Sequence, residues 1–312
     1  MSRFLQSNGI RMHLLEEGSG PLVVLLHGFP ELSSTWRHQL RALAGAGYHA
    51  VAPDQRGYGQ TDCPERDDAY TMLHLVGDVI GLLDALGERQ AVVVGHDWGG
   101  PVAWNAALLR PDRVRAVVGM SVPPRDRPPL RPTELLRKRY GDSYYQLRFQ
   151  PPGVAEQDFG TEVRAKLRTL VYAASGDAPP DQRWRPDAPG PFLAGLADPG
   201  RAPAWLGEDQ LDALTAAFTR TGFRGGLAWY RNIDRNWELM APFAGLTIRQ
   251  PSMFVMGDAD PGFAAARQGL DGLSQLAPGL RRSLILPGVG HWVGEERAAE
   301  VNAALLEFLA GL

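Results

Sequence analysis

Ala91-Val92-Val93-Val94-Gly95-His96-Asp97-Trp98-Gly99-Gly100, followed by Val102-Ala103-Trp104-Asn105-Ala106-Ala107-Leu108-Leu109, is an apolar run, a glycine-framed turn and an amphipathic pattern in direct succession. It reads as strand, tight turn and helix, with an aspartate at the turn. Gly95 and Gly99 let the helix pack close to the strand end while the residue between them is thrust forward, the setting in which G-x-S-x-G presents a nucleophile. Asp97 occupies that position in place of serine. A carboxylate is ionised at neutral pH and needs no base to attack, so it suits alkylation at an sp3 carbon with formation of an ester. That chemistry points to an epoxide or an alkyl halide as electrophile, and away from ordinary ester cleavage.

Turns of this kind are completed downstream, in the order nucleophile, acid, histidine. Ser283-Leu284-Ile285-Leu286 predicts a strand ending in Pro287-Gly288-Val289-Gly290-His291-Trp292, which puts His291 on a glycine-flanked loop. Ser252-Met253-Phe254-Val255-Met256 predicts another strand, followed by Gly257-Asp258-Ala259-Asp260-Pro261. Asp260 is the better acid of the two, because Asp258 sits inside the turn and reads as a cap for its backbone amides. Asp126, beyond the strand Arg115 to Met120, is a third candidate.

His27-Gly28-Phe29-Pro30 follows the apolar run Leu22 to Leu26, where a loop amide would face the nucleophile. A tetrahedral intermediate needs preorganised donors for its oxyanion, and the backbone N–H groups of Phe29 and Trp98 are expected to supply them. Phe29-Pro30 is a candidate cis peptide. Asp54-Gln55-Arg56-Gly57-Tyr58-Gly59 reads as a structural loop under the site, with Asp54 and Arg56 as a buried charge pair. His96 reads as packing or support, since the elbow throws successive side chains apart.

The 312 residues suit one large α/β core with an insertion. Strand runs alternate with helical patterns over 1–122 and again over 247–312, which implies a mostly parallel sheet covered by helices on both faces. Between them, 123–246 breaks into helical segments (Pro132 to Tyr140, Thr161 to Ala174, Glu208 to Thr221), an inserted helical cap. Residues 176–205 hold seven prolines and read as a long cap loop. With 32 basic against 35 acidic residues, the chain lacks the basic footprint of a nucleic-acid partner. Cys63 is the single cysteine, so no intramolecular disulfide or thiolate zinc site is expected, and the seven histidines lack metal-ligand spacing. No signal peptide or membrane span is read, which makes a cytoplasmic location the expectation. No metal or cofactor is called for, and either a monomer or a homodimer is compatible.

Together, H-G-F-P, D-x-R-G-Y-G, G-H-D-W-G-G and the terminal G-H-W resemble the soluble epoxide hydrolases of the α/β-hydrolase fold, over nearly the whole chain. Tyr144-Tyr145-Gln146-Leu147-Arg148-Phe149 and Gly222-Phe223-Arg224-Gly225-Gly226-Leu227-Ala228-Trp229-Tyr230 are similar to the cap segments that carry that family's ring-opening tyrosines. The resemblance implies Tyr145 and Tyr230 as the acid pair, and Asp260 as the charge-relay aspartate. Phenols suit the task, since they stay neutral at pH 7 and can donate to an oxygen that gains negative charge. The plainer alternative is a pair of aromatic anchors seating the cap.

Pro30, Trp36 and Phe149 are expected to line a substrate pocket, with Trp98, Trp205 and Trp229 adding apolar surface, which favours a small aryl or alkyl epoxide. Gln60, where a small serine is frequent, is a departure from the family. Two rivals remain: a haloalkane or haloacid dehalogenase using the same aspartate, in which the Trp98 indole would bind the halide, and a non-catalytic small-molecule-binding protein.

Overall fold

The computed structural model describes residues 1–270 and 272–312. Among the described residues, eight strands form one sheet in the order β1-β2-β4-β3-β5-β6-β7-β8. These are β1 (Ser2–Ser7), β2 (Ile10–Glu17), β3 (Leu22–Leu26), β4 (His49–Pro53), β5 (Ala91–His96), β6 (Val114–Met120), β7 (Ser252–Gly257) and β8 (Leu280–Leu286). β2 runs antiparallel to β1 and β4; every pairing from β4 to β8 is parallel. The helices flanking the first part are α1 (Arg37–Gly45), α2 (Met72–Leu86) and α3 (Gly99–Leu109). Between β6 and β7 lie α4 (Pro132–Tyr140), α5 (Tyr145–Arg148), α6 (Val154–Phe159), α7 (Val163–Ala173), α8 (Glu208–Thr221), α9 (Arg224–Arg231) and α10 (Ile233–Leu239). The end of the chain adds α11 (Phe263–Leu270), α12 (Leu273–Leu276), α13 (Val293–Glu296) and α14 (Ala298–Ala310).

Successive strand side chains point to opposite faces, so continuous apolar runs build two cores at once. Val23, Leu25, Val92, Val94, Met253 and Val255 pack with Leu40 and Leu43 of α1 and Leu305 and Phe308 of α14. Val24, Leu26, Val93, Val117, Phe254 and Met256 face the other way, onto α2 and α3. That second core runs without a break through Phe29 and Tyr58 into Phe149, Phe159, Phe218, Phe223 and Trp229 of the inserted helices. The insertion therefore sits on the side where the elbow opens.

The antiparallel β1–β2 pair was invisible to the reading from pattern, because β1 is an almost wholly exposed edge with no apolar alternation. Residues 176–205 contain one 3₁₀ turn, Pro180–Gln182, and otherwise turns and bends, yet they bury Phe192. The expected Asp54–Arg56 pair does not form. Asp54 instead accepts from His13 Nδ1 at 2.8 Å and from the Ser33 amide and hydroxyl at 2.9 and 2.7 Å, while Arg56 holds Asp78 through Nε at 2.8 Å. Both remain braces under the site, through different partners. Side chains two apart in an extended stretch share a face but need not meet, and each found a charge from another element. Removing one member of such a buried pair typically costs about 3–5 kcal/mol, since the other is left unpaired.

Candidate active site

β5 delivers the chain to Asp97, which has φ +47°, a left-handed conformation rare for a residue with a side chain. The turn is possible because α3 starts almost on the strand. A Cβ on Gly95 would lie 1.9 Å from the Gly99 carbonyl oxygen, and one on Gly99 would lie 2.0 Å from that of Leu26. Across the turn, the Phe29 amide donates to Asp97 Oδ1 at 2.8 Å. The Trp98 amide, the other expected donor, has no protein acceptor among the described residues. Phe29-Pro30 is cis.

His291 comes from the loop after β8. Its Nδ1 donates to Asp260 Oδ2 at 2.8 Å, and its Nε2 lies 3.5 Å from Asp97 Oδ2. Asp260 is buried and also accepts the Gly262 amide at 2.6 Å. Asp258, by contrast, caps the Gly288 amide at 2.7 Å, and Asp126 is exposed and accepts the Arg127 amide next to it. Burial alone would pull His291 down, but Asp260 and then Asp97 outweigh it and hold its pKa well above the ordinary histidine value.

Support for this arrangement comes from His96, which the sequence reads as packing or support, and from residues the sequence did not single out. The His291 carbonyl accepts from His96 Nε2 at 2.8 Å and from Ser121 Oγ at 3.0 Å. His96 Nδ1 meets Glu31 Oε2 at 2.8 Å, and the same oxygen accepts the Gly28 amide at 2.9 Å. Glu31 thus ties the Phe29 loop, the elbow and the histidine loop together. Its carboxyl would be raised by burial, but His96 draws it down to about 2. On the far side, Glu296 accepts the amides of Gly290 and Gly176, each at 2.9 Å, which docks the histidine loop on the end of α7. Glu31 lies only four residues after His27, and that closeness to the loop was its one visible signal.

A cavity of about 880 Å³ opens over Asp97, within the usual range for small-molecule sites. Phe29, Trp98, Trp104, Leu108, Met240 and Ile248 give it apolar wall, and Asp97, Tyr145, Tyr230, Asp260 and His291 all reach it. The Tyr145 and Tyr230 rings stand 5.9 Å apart, nearly perpendicular. Burial raises both phenols well above the ordinary value, and the Asp97 charge adds to it, whereas the neighbouring Tyr144 stacks on Tyr140 at 4.5 Å. Among the described residues, no His/Cys/Asp/Glu cluster could hold a metal, and no helix is long and apolar enough to cross a membrane.

The expected pocket residues Pro30, Trp36 and Phe149 do not reach the cavity wall. Trp36 is buried on the opposite face of the sheet with Leu40 and Leu43, because the chain has already crossed the sheet edge to start α1. Phe149 lies behind the tyrosines, packed against Phe29, Phe192 and Tyr230, and Pro30 is buried beneath the loop. Trp229 donates to the Arg56 carbonyl, and Trp205 packs beside Trp292. Trp184 and Phe192, from the proline-rich loop, are cavity residues instead.

An acidic elbow, a histidine paired to a buried aspartate and a lidded apolar cavity define a hydrolase with a carboxylate where serine would stand. Residues 21–298 match the alpha/beta hydrolase fold family. The chain is 46% identical to Epoxide hydrolase A of Mycobacterium tuberculosis (strain ATCC 25618 / H37Rv), over 99% of this chain and 97% of that protein. The crystal structure of Epoxide Hydrolase A from Mycobacterium thermoresistibile superposes with a TM-score of 0.94 at 48% identity, covering 100% of this chain and 98% of that one. An epoxide hydrolase from an endophytic Streptomyces gives 0.95 at 44% identity, covering 100% and 95%. The chain belongs to the alpha/beta hydrolase fold family and, within it, to the epoxide hydrolases.

Proposed function

We propose that this enzyme opens an epoxide to a vicinal diol through a hydroxyalkyl ester on Asp97. The observation that carries the reading is the inequivalence of the Asp97 oxygens: Oδ1 is held by the Phe29 amide at 2.8 Å, while Oδ2 is turned toward His291. Oδ2 attacks an epoxide carbon as Tyr145 and Tyr230 donate to the departing oxygen, and one phenol gives up its proton to it. Alkylation removes the negative charge of Asp97, and with it part of what holds the His291 proton. His291, oriented by Asp260, then takes a proton from water that adds to the ester carbonyl, and the Phe29 amide holds the oxyanion on Oδ1. The Trp98 amide is free to join it there. The Cγ–Oδ2 bond breaks, His291 returns its proton to the departing oxygen and the diol leaves; the new Asp97 carboxyl then gives up the remaining proton of water, which makes good the one the phenol gave. Every group needed comes from the chain, and no cofactor enters the cycle.

The segment 123–246 acts as the cap that carries both acids, and the apolar wall favours aryl or alkyl epoxides. The Trp98 ring, whose indole a dehalogenase would use for halide, stands edge-on to the Tyr230 ring at 5.0 Å. Intact mass of His291→Gln after brief exposure to an aryl epoxide is the direct test, with Asp97→Ala as control. An increment of one whole epoxide, absent from the control, is expected. No increment with epoxides, together with an alkyl increment from a haloalkane, would overturn the reading in favour of a dehalogenase.

A further inference from the structure

Of the two phenols facing Asp97, Tyr145 already accepts a hydrogen bond: Gln146 Nε2 donates to its oxygen at 2.9 Å. Gln146 lies at the cavity, and the Trp98 ring stands edge-on to the other phenol, Tyr230, at 5.0 Å. Among the described residues, neither phenol in turn donates to a protein acceptor. A phenol O–H prefers the plane of its ring, where it has two orientations half a turn apart. A donor seated on one flank of the oxygen closes that orientation, because two hydrogens would collide there, and leaves the other.

We propose that Gln146 is a positioning residue for the acid pair, turning the Tyr145 phenol proton toward the oxygen of a bound epoxide. The inference rests on the ring-opening reading above. The same contact has a second effect with the same sign. When Tyr145 has given its proton to the substrate oxygen, the N–H already on it becomes a charge-assisted hydrogen bond, which is about twice as strong as a neutral one. The donor therefore favours the transition state over the resting enzyme. The two halves are held in register by Gln150, whose Nε2 donates to the Gln146 carbonyl at 2.8 Å and to the Tyr230 carbonyl at 2.9 Å. One amide thus joins the backbones of α5 and α9, which bear Tyr145 and Tyr230.

The test measures the rate of Asp97 alkylation by quenched-flow mass spectrometry in the His291→Gln background, where the ester persists. Gln146→Leu keeps the bulk and loses the donor, and is expected to alkylate about 3- to 10-fold more slowly, the worth of one hydrogen bond. Gln146→Glu should be slower still, by about 100-fold, because an acceptor now captures the Tyr145 proton and silences one acid. In a Tyr145→Phe background Gln146→Leu should have no further effect. A role in folding alone would slow alkylation equally with or without the phenol. Such additivity, or Gln146→Glu alkylating as fast as the parent, would overturn the inference while leaving the ester mechanism standing. A parent that forms no adduct at all would bring down the ring-opening reading as well.

Discussion

Asp97 Oδ1 accepts the Phe29 amide proton while Oδ2 faces the His291 ring, so the two oxygens of one carboxylate are inequivalent before any substrate arrives. In the proposed cycle that asymmetry fixes the fate of each atom: Oδ2 would become the ester oxygen and depart with the diol, and the oxygen of water would stay on Asp97. In a single turnover in heavy-oxygen water with enzyme in excess, the first diol should be unlabelled, and peptide mass should find the label on Asp97 after many turnovers. Label in the first diol would mean direct attack by water, with Asp97 a bystander. The identities of Asp97 and His291 were legible because each sits where the backbone itself is constrained, between close-packed glycines or on a glycine-flanked loop. Asp260 over Asp258 was settled by one turn's geometry: Asp258 is taken by the Gly288 amide. Glu31 and Ser121 were not legible, since what they hold is the His96 ring 65 residues away, the His291 carbonyl 170 residues away or a loop whose path only the fold defines.

At the level of elements, the site exists because the loop after β3 touches the turn after β5. A Cβ on Gly28 would lie 2.3 Å from the Asp97 Cβ, so the Phe29 amide, the proposed oxyanion donor, can approach only if residue 28 has no side chain. Gly28→Ala must push this loop off Asp97. Loss of a single oxyanion donor typically slows turnover about 100- to 1,000-fold, and a loss of at least about 100-fold in kcat is expected here. Far-UV circular dichroism should stay unchanged, because β3 and β5 themselves are untouched. Near-normal turnover of Gly28→Ala would show that the Phe29 amide is not the donor that matters. Strands β3 to β8 and the three longest inserted segments were legible from pattern, since β5 and β6 are continuous apolar runs buried on both faces and α4, α7 and α8 carry amphipathic patterns. Which aromatic side chains face the cavity was not. Trp36, Phe149 and Trp184 are alike in composition, and their assignment to sheet face, acid backing and cavity wall depends on where α1 begins and how the proline-rich loop folds.

Across the whole molecule, the insertion is fastened to the core at points that include a buried acid. Arg37 of α1 pairs with Glu295 of α13, and its Nη2 also donates to the Trp205 carbonyl at 3.0 Å, so one guanidinium joins core and insertion. Glu295 faces Arg37, His38 and Thr35 from the α1 side and Glu31 from the loop after β3. Burial raises its carboxyl, the Arg37 charge only partly offsets that, and Glu31 adds to it, which leaves the pKa at about 7. An unfolded chain releases this proton near the ordinary glutamate value, whereas the folded protein keeps it to about pH 7. Between those limits the folded state binds more protons than the unfolded one, so the Glu295 contribution falls as pH rises, by on the order of 2 to 3 kcal/mol, and is level above pH 7 and below the ordinary glutamate range. Glu295→Gln removes the titration while keeping a partner for Arg37. In urea unfolding at constant ionic strength, the stability of Glu295→Gln relative to the parent should therefore climb from pH 4.5 to 7 and then level off. Groups away from Glu295, His291 among them, titrate in both proteins and cancel in the difference. A difference that does not change with pH would mean that Glu295 is ionised throughout, held by Arg37 as an ordinary ion pair, and that the joint between core and insertion is insensitive to pH.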